Sequence, residues 1–142
     1  MVKITQTTTP ESSKNIDRKW HIVDAKNQIL GRVANKIAIL LEGKNKTNYV
    51  EYLDIGDNIV VINAKLVEVT GNKRLVKTYD SFSGYPGGLK VTTFEKLQQK
   101  NPSEIIRQAV SGMLPKNKLR DRRLARLHIY ADDIHPYSDK LK

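Results

Sequence analysis

The chain has 142 residues, 39 % of them hydrophobic, enough for one compact domain with an apolar core and no need of a second. Lys and Arg number 25 against 15 Asp and Glu, a formal net charge of +10, and there is no Cys. That excludes disulfides, thiolate metal sites and cysteine nucleophiles, and it fits a cytoplasmic protein. The basic excess is uneven: residues 1–70 carry ten basic against eight acidic side chains, residues 71–142 fifteen against seven. Such asymmetry is the footprint expected of a nucleic-acid binder with one positive face. An anionic membrane is the rival partner, but the sequence holds neither a long basic amphipathic helix with an aromatic face nor an apolar run of about 18 residues.

In chain order, residues 1–17 are polar, lack the apolar centre of a secretion signal and read as a mobile extension ahead of a single domain over 18–142. Lys19 to Val23 predicts a short strand. Leu30, Val33, Ala34, Ile37, Ala38 and Leu41 then fall on one stripe of an amphipathic helix, and Gly43 stands where a left-handed residue would end it. Ile59-Val60-Val61-Ile62 is a continuous apolar run, the pattern of a strand covered on both faces. Strand, helix and buried strand make a βαβ unit, for which a right-handed crossover is expected. Thr70 to Lys73 reads as a turn, Lys77 to Phe82 as another short strand, and Gly84-Tyr85-Pro86-Gly87-Gly88 as a loop. A helix is predicted from Thr92 or Thr93 to Gln99. Asn101-Pro102-Ser103-Glu104 resembles a capping box opening the next helix, with a buried stripe of Ile105, Ile106, Ala109, Val110 and Met113. Pro115 stops it, and Leu127 to Tyr130 predicts the last strand before an irregular tail. The alternation implies an α/β domain with a mainly parallel sheet and helices on both faces.

The densest charge lies in residues 111–126, where Lys116, Lys118, Arg120, Arg122, Arg123 and Arg126 face a single acid, Asp121. Like charges three or four residues apart repel, and a polyanion removes that penalty as its counterions are released. A merely solvated basic face is the plain alternative. In the loop, Gly84, Gly87 and Gly88 with Ser83 allow the backbone to approach a phosphate or ribose, a simple turn being the alternative. Tyr79, Phe82 and Tyr85 interleaved with Lys77 and Lys90 suit stacking on unpaired nucleotides. Lys44, Lys46, Lys73 and Arg74 on loops would widen the basic surface. Catalysis has little support: His21, His128 and His135 form no triad or HExxH pattern, and the glycines match no nucleotide-binding spacing. Asp54, Asp57, Asp132 and Asp133 are read as turn and cap residues rather than acid–base pairs. No catalytic residue, cofactor, metal or small-molecule substrate is therefore expected, a small enzyme acting on a nucleotide or phosphate ester being the rival.

Lys19-Trp20-His21-Ile22-Val23-Asp24-Ala25, Leu30-Gly31-Arg32, Gly43-Lys44, Asp57 to Ala64, Thr70-Gly71-Asn72-Lys73, Ser83 to Gly88 and Gly112-Met113-Leu114-Pro115-Lys116-Asn117-Lys118-Leu119 occur in that order. From about residue 18 to 137 the chain resembles the bacterial-type large-subunit ribosomal protein thirteen family. The resemblance implies a three-layer α/β/α fold with a four-stranded, mainly parallel sheet, and no enzymatic activity. It implies binding to large-subunit ribosomal RNA beside neighbouring large-subunit proteins, a role in early subunit assembly, and location on the ribosome, cytoplasmic or organellar. By position, it carries RNA contact onto the Gly84–Gly88 loop with Lys90, and onto Lys116, Asn117 and Lys118. The chain departs from the family pattern at Arg120-Asp121-Arg122-Arg123, where a Gly-Arg pair is usual, and at Tyr137, where a second tail histidine is usual. An RNA-binding regulator acting off the ribosome is the remaining rival.

Overall fold

A computed structural model describes residues 16–141; most of the expected N-terminal extension, residues 1–15, lies outside the described residues. The βαβ unit forms as the pattern demands. Strand β1 (Trp20–Asp24) leads to helix α1 (Leu30–Glu42) and then to strand β2 (Asn58–Ile62), which runs parallel to β1. All six residues of the α1 stripe are buried, and Gly43 ends the helix at φ +81°, its N–H donating to the Ile39 and Leu40 carbonyls. Strand β5 (Leu127–Ile129) pairs in parallel with the other edge of β2, giving the order β1-β2-β5. Ile59, Val60 and Val61 of the central strand are fully buried, which explains their unbroken apolar run.

The expectation of four mainly parallel strands is corrected: among the described residues the parallel sheet has three. The missing member is β3 (Thr78–Phe82), which pairs antiparallel with a strand the sequence does not signal, β4 (Leu89–Thr93). The cause is compositional. Thr-Tyr-Asp-Ser-Phe cannot enter a sheet covered on both faces without burying Asp80 and Ser81 unpaired, whereas a projecting hairpin leaves both in water.

Helical cover, expected on both faces, lies on one face among the described residues. Val23, Ile59, Val61 and Leu127 point into a core shared with α1, α3 (Phe94–Lys100) and α4 (Pro102–Met113). On the opposite face, where register aligns Trp20 and Ile22 with Asn58, Val60 and His128, the C-terminal tail takes the place of a helical layer. Trp20 stacks on His128 at 5.7 Å and on Tyr137 at 4.8 Å between ring centroids. Aromatic rings on an irregular tail partly cover that face without any amphipathic stripe, Ile22 remaining 49 % exposed.

Two details of α4 differ from expectation. Asn101 precedes Pro102 at the first helical position, but its side chain accepts from the Ser103 hydroxyl (2.6 Å) and caps no backbone N–H. Met113 is 44 % exposed, while Leu114, just beyond the last turn, is buried in its place.

Candidate nucleic-acid interface

The basic segment divides into an outward and an inward half. Leu114 and Leu119 are both buried, and between them Pro115, Lys116, Asn117 and Lys118 are exposed. The two leucines act as pegs that hold the intervening residues out. Asn117 shapes this loop: its side-chain oxygen accepts from the Leu119 N–H (3.1 Å) and its carbonyl from the Arg120 N–H (3.1 Å). Helix α5 (Arg120–Ala125) follows. Arg122 is exposed, and Arg120 is about one-third exposed with its guanidinium 3.9 Å from Asp121, too far for a firm pair.

Arg123 and Arg126 face the other way. Arg123 is 1 % exposed, with its Nε 3.7 Å from Asp54. Arg126 grips the Asp54 carboxylate with both terminal nitrogens, one at 2.6 Å, and donates to the Leu41 carbonyl at 3.3 Å. Leu41 lies in the last turn of α1, which has no basic residue of its own, so Arg126 supplies both a donor and a cation where the helix dipole is negative. Gly56 permits this approach, because a Cβ there would stand 1.7 Å from the Leu41 oxygen. Arg123 and Arg126, expected to meet phosphate, are turned to the interior by an acid 69 and 72 residues away in sequence.

Lys46 is likewise engaged inward. Its ammonium pairs with Asp57 and donates to the Asp17 (2.7 Å) and Ile55 (2.9 Å) carbonyls, leaving 16 % of the side chain exposed. Asp57 also accepts from His21 Nε2 (2.8 Å) and the Lys19 N–H (3.1 Å). Burial alone would raise the Asp57 pKa strongly, yet the bonds from Lys46, His21 and Lys19 outweigh it and hold the carboxyl below its ordinary value. Asp54 and Asp57, read as turn residues, thus act as counter-ions between elements. Lys44 is half exposed and pairs with the buried Glu42 at 2.6 Å, a bond that raises the lysine pKa.

The second candidate region is the hairpin. Its turn closes through the Gly88 N–H donating to the Tyr85 carbonyl (2.9 Å) and the Ser83 N–H to the Gly88 carbonyl (3.3 Å). Gly84 (φ +87°) and Gly87 (φ +74°) occupy left-handed conformations that side chains rarely adopt. Ser83, Tyr85 and Lys90 are exposed, as are Lys73 and Arg74 on the single-turn helix α2 (Lys73–Val76) and Lys77 beyond it. Tyr79 is not free to stack: its ring packs on the core beneath the Lys77 ammonium (5.2 Å), and burial raises its hydroxyl pKa. The hairpin also has an apolar side that sequence reasoning missed, where Phe82, Leu89 and Val91 are all more than half exposed. At the tail, Tyr137 stacks on Trp20 and packs at a tilt against His128, with Lys140 over the Trp20 ring (5.0 Å). Burial, then Arg107 and Lys140, lower the His128 pKa.

Among the described residues no cluster of His, Cys, Asp or Glu is arranged to hold a metal ion, and no helix is long and apolar enough to cross a membrane. The family model described as Ribosomal protein L13 matches residues 18–136. The large ribosomal subunit protein uL13 of Crocosphaera subtropica is 48 % identical over 134 residues, covering 94 % of this chain and 88 % of its own. That of Nostoc sp. is 49 % identical over 124 residues (87 % and 82 %), and uL13c of Pyropia yezoensis 47 % over 129 (91 % of each). With a match that runs from the first strand into the tail, the chain belongs to the ribosomal protein L13 family, a structural constituent class of the large ribosomal subunit.

Proposed function

We propose that the chain binds large-subunit ribosomal RNA through two separately supported surfaces and so joins RNA segments, beside neighbouring proteins, during early assembly of the subunit. One surface is the pegged loop with α5: Lys116, Asn117, Lys118, Arg120 and Arg122. The other is the hairpin tip, Ser83, Gly84, Tyr85, Gly87, Gly88 and Lys90, flanked by Lys73, Arg74 and Lys77. Lysines and arginines reach phosphates, and the glycine backbone comes close to ribose and phosphate. Tyr85, 75 % exposed, is available to stack on a base. The observation that carries the reading is the loop between Leu114 and Leu119, which holds Lys116 and Lys118 out with no acid paired to them among the described residues.

The test is the salt dependence of binding between the purified chain and large-subunit RNA. Changing Lys116, Lys118 and Arg122 together to Ala should flatten the plot of log affinity against log salt by about 0.7–0.9 for each phosphate no longer neutralised. An unchanged slope removes this surface from the interface. Co-sedimentation with the large subunit at moderate salt separates this role from that of a regulator acting off the ribosome.

A further inference from the structure

Granted the RNA-binding reading above, on which the step rests, the open question is what places the cations. We infer that Asp54 is a positioning residue for RNA recognition: it anchors α5 from within, so that Arg122, Lys118 and Lys116 present one fixed array of charge. The loop carrying Asp54 is itself fastened to the end of α1. The Asp57 N–H donates to the Leu40 carbonyl (3.2 Å), Gly56 lies against Leu41, and Arg18 donates to the Asp54 carbonyl (3.2 Å). Asp54 then grips Arg126, the residue that caps the end of α5, and lies 3.7 Å from Arg123 one turn earlier. Arg126 also returns to the Arg122 carbonyl (3.5 Å), which ties the anchor to the exposed neighbour itself.

The arrangement is costly enough to require a purpose beyond packing. Arg123 is almost wholly buried, and its Nε and Nη2 have no hydrogen-bond partner among the described residues. Such donors weaken a fold, and apolar side chains of similar shape commonly serve as well or better. What the two-nitrogen grip of Arg126 on Asp54 supplies and an apolar contact does not is a single geometry. A helix of six residues with cations on its outer face has little intrinsic stability, so its presentation depends on that inner grip.

Charge provides a sign test. Asp54→Asn and Asp121→Asn each remove one negative charge from the same region. Asp121 is 90 % exposed at its side chain, so its loss should tighten RNA binding, by roughly twofold. Asp54→Asn should instead weaken binding several-fold and flatten the salt slope, although no cation has been removed. Tighter or unchanged binding by folded Asp54→Asn would overturn the inference, and so would weaker binding with the slope intact.

If Asp54→Asn fails to fold, Arg126→Lys decides, because it keeps the charge and gives up the two-nitrogen grip on Asp54. It should weaken RNA binding and flatten the salt slope although the number of cations is unchanged. Binding and slope equal to those of the unaltered chain would overturn the inference. If the Lys116, Lys118 and Arg122 triple variant leaves the slope unchanged, the RNA-binding reading itself fails, whatever Asp54 does.

Discussion

The α5 region and the β3–β4 hairpin begin with similar supplies of cations and end with different surfaces. Around α5, acids engage the cations: Asp54, distant in sequence, takes Arg126 and lies beside Arg123, Asp57 takes Lys46, and Glu42 takes its near neighbour Lys44. Around the hairpin no ion pair engages Lys73, Arg74, Lys77 or Lys90 among the described residues, and Phe82, Tyr85, Leu89 and Val91 stand in solvent. Formal charge therefore overstates the cationic surface at α5 and represents it fairly at the hairpin.

The contrast breaks most severely at Gly56. Gly56→Ala sets a methyl against backbone on the end of α1, and should cost about 3 kcal/mol or more by thermal or denaturant unfolding. Asp57→Asn comes next. It leaves Lys46 in a site that is 16 % exposed, at a cost of about 2–3 kcal/mol, somewhat below that for a fully buried pair because carbonyl partners remain. The corresponding pH effect has a definite sign. The folded Asp57 pKa is depressed, so its contribution is complete above the ordinary carboxyl value near 3.8 and is lost as pH falls through the folded value.

A smaller effect belongs to the tail. The folded His128 pKa lies below the ordinary value near 6.5, so docking of the tail weakens as pH falls from there toward the folded pKa. Trp20, the only tryptophan, should report this as a fluorescence change that Tyr137→Ala abolishes. Smallest of all, Phe82→Ser on the open side of the hairpin should alter stability by no more than about 0.5 kcal/mol, against the large cost at Gly56.

Much of the fold was legible because local pattern and burial agree: the α1 stripe, the Gly43 stop, the apolar run of β2 and the Pro115 break all stand where periodicity and turn chemistry put them. β4 was not, because Leu89-Lys90-Val91-Thr92-Thr93 acquires its strand character only by pairing with β3. The three-strand sheet escaped for the same reason, since partner choice is non-local. At the candidate site, the loop from Lys116 to Lys118 and the glycine turn were readable. The inward arginines were hidden by a charge count that ignores direction. One signal was present: Arg123 falls four residues after Leu119, one helical turn from a buried side chain. Their acid could not have been chosen from sequence, because Asp54 lies on a remote loop.

The most direct test is arginine-specific modification of the folded chain, read residue by residue by mass spectrometry, with and without large-subunit RNA. Arg122 should react readily alone and be protected by RNA, with Arg120 following it, while Arg123 and Arg126 stay unreactive in both states. Rapid modification of Arg123 in the free chain, or no protection of Arg122 by RNA, would contradict the division of this segment into an inner anchor and an outer contact.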